Sequence, residues 1–129
     1  MQKTIILDAN AILRYILYDV KEQADEVESI LIAKKVLILP EVMAEVIYVM
    51  TKYYDQPQNL VSDRILFFLN EINYENKTLL DAIEAFSENK FDFVDCLLFE
   101  YSKLPCYEIF TFDKRLMKKI AENRGGTKK

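Results

Sequence analysis

Four acidic side chains in this sequence have the chemistry and the positions of metal ligands: Asp8, Glu45, Asp95 and Asp113. The first and the last of them follow short apolar runs, residues 4–7 and 108–111, which are typical of buried strands. Ligands bind beyond the carboxyl ends of the strands in open parallel sheets, so both acids are expected at one edge of a sheet. Ionised carboxylates about 4 Å apart repel by around 4 kcal/mol at an effective dielectric near 20. A cluster of four therefore needs a cation to hold it together.

The chain contains no histidine. This absence excludes a Ser-His-Asp triad, a Cys-His pair, a histidine zinc site and a two-histidine ribonuclease mechanism. An enzyme with this sequence must rely on carboxylates, whose oxygen atoms favour a hard ion such as Mg²⁺ or Mn²⁺. Such an ion can lower the pKa of a bound water and orient the water towards a phosphodiester. A chain without histidine could therefore still hydrolyse a phosphodiester.

Each aspartate has a simpler explanation when it is considered alone. Asp8 and Asp113 each precede a predicted helix, where aspartate is a favoured N-cap. Asp92 and Asp95 have the spacing of a capping box, and the helix dipole favours acids in a first turn. For any one of these residues, capping is the preferred interpretation.

Glu45 differs from the aspartates because it is the only residue in the stretch 42–50 that is not apolar. A carboxylate there is expected to be at least half enclosed, and an unpaired buried charge must find a partner or stay protonated. A buried salt bridge to Arg14 or Arg64 would explain the residue structurally. We favour a functional site over that explanation.

The composition is typical of one folded domain. The chain has 129 residues, of which 51% are hydrophobic and 29% charged. We expect neither a membrane span nor an export signal. The two cysteines, Cys96 and Cys106, are expected to be free and mostly buried thiols in a reducing cytoplasm.

The charge is unevenly distributed along the chain. The net charge of −4 argues against bulk electrostatic attraction to nucleic acid. The end of the chain is nevertheless basic, with Glu122 as its one acid. Its basic residues are Lys114, Arg115, Lys118, Lys119, Arg124, Lys128 and Lys129. These charges could hold a phosphate backbone, although a solvated helix face explains them as well.

The apolar periodicity predicts an α/β fold, with a mainly parallel central β-sheet flanked by helices. Strands are predicted at residues 4–7, 36–39, 72–74 and 108–111. Helices are predicted at residues 11–18, 22–33, 40–54, 62–71, 79–89, 93–104 and 114–123. The first two strands enclose helical sequence and form a β-α-β unit, which implies parallel pairing. We predict a single domain over residues 1–124 and a polar tail over residues 125–129.

The sequence resembles the PIN-domain nucleases and, within them, the VapC-like toxins of bacterial and archaeal toxin–antitoxin modules. The resemblance covers nearly the whole chain and rests on four segments in order. These are residues 6–14 (ILDANAILR), Pro40 followed by Glu45, residues 92–95 (DFVD) and residues 111–114 (TFDK).

The resemblance implies roles for eight residues. Four acids are implied to bind Mg²⁺ or Mn²⁺ and to carry the catalysis: Asp8, Glu45, Asp95 and Asp113. Three residues are implied to support them: Asn10, Thr111 and Asp92. Arg14 matches a common family residue and is a candidate for contact with RNA, with antitoxin or with one of the four acids. From the basic end of the chain, Lys114 and Arg115 are further candidates for contact with RNA or antitoxin. The implied activity is endonucleolytic cleavage of RNA, such as tRNA, by a cytoplasmic homodimer that a small antitoxin inhibits.

Two other classes of function stay open. One is a catalytically inert RNA- or protein-binding module on the same fold, although such a module gains nothing from a set of mutually repelling acids. The other is a phosphatase with Asp8 as its nucleophile. Such enzymes usually carry a second aspartate two residues later, where this chain has Asn10, so we rank this class low.

Overall fold

The structure, a computed structural model, describes residues 2–127. The chain is organised in two compact units, which divide between Glu75 and Asn76. The first unit combines a parallel sheet with helices, and in the second the regular structure that is described is helical. The α/β fold class that the sequence predicts is therefore confirmed.

The sheet of the first unit has two strands, β1 (Ile5–Ile6) and β2 (Val36–Leu37). They pair in parallel, with Ile5 opposite Val36 and Ile6 opposite Leu37. Both strands lie inside the predicted runs, and the chain between them is helical, as a parallel crossover requires. β1 ends two residues before Asp8, so the sheet places this acid at the carboxyl end of a strand.

The helices of the first unit are α1 (Ala9–Leu17), α2 (Lys21–Ala33), α3 (Pro40–Tyr48) and α4 (Gln58–Glu71), and a π-helical turn (Val49–Tyr53) continues α3. Pro40 lies in the first turn of α3. Backbone N–H groups in a first turn have no partner within the helix, so the missing N–H of proline costs no hydrogen bond. Side chains from α1, α3 and α4 form a fully buried core. Its largest members include Ile12, Met43, Ile47, Ile65 and Phe68.

The second unit contains α5 (Lys77–Phe86), α6 (Phe93–Ser102) and α7 (Lys114–Thr127). The Asn76 side chain caps α5 by accepting a hydrogen bond from the Leu79 N–H, at 3.1 Å. α6 packs against both α5 and α7, and Phe99, Leu116 and Ile120 form a buried cluster. α7 continues past the end that the sequence predicts at Asn123. Lys128 and Lys129 of the basic run lie outside the described residues.

The strand predicted at residues 72–74 is wrong because this segment is the turn that ends α4. Asn73 has a left-handed backbone (φ 54°), which an extended strand does not contain. The Tyr74 N–H donates back to the Leu69 carbonyl, at 3.0 Å. Asparagine is one of the few residues that tolerate this conformation, so the chain can turn here without a glycine.

The strand predicted at residues 108–111 is also wrong, since this segment has no regular structure. A strand needs a partner, and the described elements of its own unit are helices. Of its two apolar side chains, Ile109 is partly buried against the cluster of Phe99, Leu116 and Ile120, whereas Phe110 is 85% accessible, and the neighbouring Phe112 is 87% accessible. The two rings pack edge to face on each other, with centroids 5.3 Å apart. Asp113 therefore does not follow a strand.

Candidate active site

Asp8 lies at the N-terminus of α1, where it caps the helix. Its Oδ1 atom accepts a hydrogen bond from the Ala11 N–H, at 2.8 Å. The capping interpretation is therefore correct for Asp8, but capping uses only one of its two carboxylate oxygens. Asp8 and Asn10 are both exposed, so both side chains are accessible from solvent.

Glu45 lies on the exposed face of α3, whereas its apolar neighbours in the sequence suggested an enclosed carboxylate. The exposed stripe consists of Glu41, Glu45 and Tyr48, which are spaced by four and three residues and so share one face of the helix. Counting Tyr48 as apolar hid this stripe, since 64% of its surface is accessible. An exposed carboxylate has no need of the buried salt bridge considered as an alternative.

Arg14 and Arg64, the proposed partners of Glu45, make other contacts within the first unit. Arg14 forms a salt bridge with Asp19 at 2.9 Å and donates to the Tyr54 hydroxyl at 3.4 Å. Among the described residues, its buried Nε atom has no hydrogen-bond partner. Arg64 donates to the Ile16 carbonyl and to the Gln56 side chain. A contact of Arg14 with RNA or antitoxin stays a prediction.

Asp113 caps α7 in the second unit, and Thr111 holds it in place. Asp113 Oδ1 accepts a hydrogen bond from the Leu116 N–H at 3.0 Å. The Thr111 hydroxyl accepts one from the Asp113 N–H, also at 3.0 Å. Thr111 thus fixes the backbone of the acid that it was predicted to support.

Asp92 and Asp95 open α6, but the Asp92 side chain makes no capping hydrogen bond. Burial raises the pKa of Asp95, and the carboxylates of Asp113 and Asp92 raise it further, while Arg115 acts in the opposite direction. The second unit therefore brings these three acids into one electrostatic neighbourhood. Their mutual repulsion would be relieved by a cation bound between them.

Basic side chains of α7 lie near these acids and contact an aromatic ring. The Arg115 guanidinium lies 4.8 Å from the centre of the Phe91 ring, and Lys119 Nζ lies 5.7 Å from it. Lys119 also donates to the Asn89 side chain at 3.1 Å. Lys114 is exposed at the start of the helix.

Sequence reasoning did not identify Phe91 as part of the candidate site, and it named Lys119 only as one of the basic residues at the end of the chain. The four-residue spacing of Arg115 and Lys119 is a signal that could have singled out Lys119, since it places both cations on one face of a helix. Phe91 directly precedes Asp92, which is a second signal. The same helical spacing would have placed Tyr48 on the same face of α3 as Glu45.

The carboxylate oxygens suit Mg²⁺ or Mn²⁺ in their chemistry, because hard divalent cations prefer oxygen ligands. In the part of the chain that the structure describes, however, no group of three or more Cys, Asp or Glu side chains is arranged to hold a metal ion. The donor set thus fits the ion in its chemistry.

The PIN domain family model matches residues 5–123, which includes sequence from both compact units and all four predicted catalytic acids. The chain belongs to the PIN-domain family. PIN domains are usually nucleases, which typically use divalent metals and act on nucleic acid. No curated protein and no solved structure shows significant similarity to this PIN domain. Among residues 2–127, none of the helices has both the length and the apolar character needed to span a membrane.

Proposed function

We propose that this PIN domain is a metal-dependent endoribonuclease that hydrolyses RNA phosphodiester bonds. The observation that carries the proposal is the match of the PIN domain family model over residues 5–123, because PIN domains are usually nucleases. The raised pKa of Asp95, caused by burial and then by the carboxylates of Asp113 and Asp92, supports it. The absence of histidine supports it too, because it leaves carboxylates and a metal as the means of hydrolysis.

In this proposal, the four acids Asp8, Glu45, Asp95 and Asp113 hold Mg²⁺ or Mn²⁺. When bound, the ion supplies an activated water and neutralises charge on the leaving oxygen. The caps at Asp8 and Asp113 restrict the rotation of these carboxylates, because one oxygen of each is tied to a helix N-terminus. Thr111 fixes Asp113, while Asn10 and Asp92 contribute polar groups beside the ligands.

The RNA backbone is proposed to contact the basic face of α7. Lys114 and Arg115 lie next to Asp113 in the sequence, and Arg115 influences the pKa of Asp95. The ring of Phe91 contacts the Arg115 guanidinium in a cation–π interaction. This arrangement places positive charge beside the acids, where a phosphodiester must lie for its bond to be cut.

We further propose that the enzyme is the toxin of a toxin–antitoxin pair, acts in the cytoplasm as a homodimer on tRNA or another RNA, and is inhibited by a small cognate antitoxin. The four segments that resemble VapC-like toxins support this part of the proposal. Expression of the chain should then arrest growth of its host, and Asp95→Asn should abolish the arrest. Normal growth with active wild-type enzyme would contradict the toxin role.

The alternative is a catalytically inert RNA- or protein-binding module on the same fold. Incubation of labelled total RNA with the protein separates the two functions. Cleavage by the wild type with Mn²⁺ or Mg²⁺, and none with EDTA or with Asp95→Asn, supports the nuclease. Asp63→Asn, which removes an exposed acid of α4, is the matched control and should cleave normally. Metal-independent RNA binding without cleavage would support the alternative.

A further inference from the structure

A cavity of about 330 Å³ opens on the first unit, between the C-terminal part of α1, α2 and α4. Aromatic rings form much of its wall: those of Tyr15, Tyr18, Phe67 and Phe68. Two glutamates, Glu28 and Glu71, add carboxylates to the lining. The volume is in the range of small-molecule sites, which combine apolar walls with a few convergent polar groups.

The rings of this cavity are held by specific contacts. Tyr15 packs against Phe68 with ring centroids 5.7 Å apart, and its hydroxyl donates to Glu71 at 3.4 Å. Phe67 remains 68% exposed, so an apolar face stays open to solvent at the rim. A ligand that covers this face would remove it from water, which is favourable.

Tyr18 reaches the cavity from a left-handed backbone conformation (φ 54°) at the end of α1. This conformation is uncommon for a residue other than glycine and is unfavourable by roughly 1–2 kcal/mol. It ends α1, because the Tyr18 N–H donates to the Arg14 carbonyl. The hydroxyl of Tyr18 donates to Asp25, and a carboxylate oxygen of Glu28 lies 3.5 Å from that hydroxyl.

The charges around the cavity favour a cation. Glu28 and Glu71 have no salt bridge to a basic side chain within the described part of the chain. Arg64 also lines the cavity, but its guanidinium donates to the Ile16 carbonyl and to Gln56. Two carboxylates against one cation leave a net negative lining, and the faces of aromatic rings also attract positive charge.

We propose that this cavity binds an organic cation, with its ammonium or guanidinium group between the aromatic rings and the carboxylates of Glu28 and Glu71. Two sources share this chemistry: a free amine, and an arginine or lysine side chain of a peptide. The site is separate in sequence from the four predicted catalytic acids and does not depend on the nuclease proposal.

The test is a titration of the full chain with agmatine and with N-acetyl-arginine methylamide, followed by calorimetry and by the NMR signals of the tyrosine and phenylalanine rings. The neutral control ligand is N-acetyl-citrulline methylamide, which has nearly the same shape without the charge. We expect at least one cation to bind about tenfold more tightly than the citrulline compound. Tighter binding of agmatine indicates a free amine, and tighter binding of the blocked arginine indicates a peptide side chain.

Two variants and a matched control locate the binding. Glu71→Gln and Phe67→Ala should each weaken binding of the better cation by about fivefold, since each removes one attraction from the lining. Glu26→Gln removes an exposed acid of α2 that does not line the cavity, and it should bind within twofold of the wild type. Circular dichroism verifies that the variants are folded. Failure of both cations to bind, equal binding of the citrulline compound, or binding unchanged in both variants would overturn the proposal.

Discussion

At the scale of single residues, Asp8 and Asp113 combine a structural role with a proposed catalytic one. Each accepts a backbone N–H at the start of a helix, through one carboxylate oxygen. Sequence reasoning predicted both caps, because an N-cap depends only on neighbouring residues. It did not predict the exposure of Glu45, because that depends on which face of α3 packs against the core.

Substitutions of Asp8 should separate capping from catalysis. Asp8→Asn keeps a side-chain oxygen for the Ala11 N–H, so the free energy of unfolding should change by less than about 0.5 kcal/mol. Asp8→Ala removes the cap and should lower it by about 1 kcal/mol. Urea denaturation in EDTA measures both changes. RNA cleavage should be lost in both variants, and a destabilisation by Asn as large as that by Ala would contradict the capping geometry.

Asp95→Asn should stabilise the metal-free protein at neutral pH. The pKa of Asp95 is raised in the folded state, first by burial and then by Asp113 and Asp92, so its ionised form opposes folding. The side chain is only partly buried, and we therefore expect the Tm in EDTA to rise by only about 1–3 °C.

The pH dependence of this difference follows from the sign of the shift. A raised folded pKa means that the folded state binds the proton more tightly, so the penalty is present above that pKa and fades as the pH falls through it. The Tm difference between wild type and variant should thus shrink towards the ordinary aspartate pKa of 3.8. Asp63→Asn is the control for a charge change elsewhere. A lower Tm for Asp95→Asn at pH 7 would refute the raised pKa.

The two cysteines should differ in reactivity. Both are free, as predicted, but Cys106 is exposed, whereas the sequence suggested that both thiols are buried. Cys96 is 3% exposed, and burial followed by the Asp95 charge raises its pKa to about 11. Iodoacetamide at pH 8 should therefore modify Cys106 and leave Cys96 unmodified in the folded protein, because the thiolate is the reactive form. Mass spectrometry measures this, and modification of Cys96 at a similar rate would contradict its burial.

At the scale of elements, local sequence determined the helices well and the strands less well. All seven described α-helices overlap predicted ones, since capping residues and apolar periodicity act within a few residues of sequence. The strand predicted at residues 72–74 failed because of one backbone angle. The strand predicted at residues 108–111 failed because its unit has no described strand to pair with. A strand depends on a partner that can be distant in sequence, as Ile5 and Val36 are.

The basic face of α7 should contribute to RNA affinity. Arg115→Ala and Lys119→Ala, measured with the catalytically inactive Asp95→Asn background, should each weaken binding of single-stranded RNA by about threefold to tenfold at low salt, because each removes a phosphate contact. Lys118→Ala is the matched control on the same helix, where Lys118 lies 4.0 Å from Glu122. Fluorescence anisotropy over a range of salt concentrations measures the effect. Equal losses in all three variants would indicate general attraction rather than a site.

At the scale of the whole molecule, one family match spans both compact units, and each unit contributes two of the four predicted catalytic acids. The sequence predicted the fold class, which is confirmed, whereas the catalytic and metal-binding roles of the four acids stay predictions. It could not determine how the acids are arranged, because that depends on packing between segments far apart in the chain. The binding of a metal ion by the four predicted catalytic acids is the central claim.

Binding of Mn²⁺ to the wild type and to single variants tests this claim most directly, by calorimetry or by water-proton relaxation. We predict that Asp8→Asn in the first unit and Asp95→Asn in the second each weaken Mn²⁺ binding by about tenfold or more, since each removes a charged ligand. Asp63→Asn should leave the affinity unchanged. Affinity that falls in Asp95→Asn but stays at the wild-type value in folded Asp8→Asn would contradict metal binding by the four acids together.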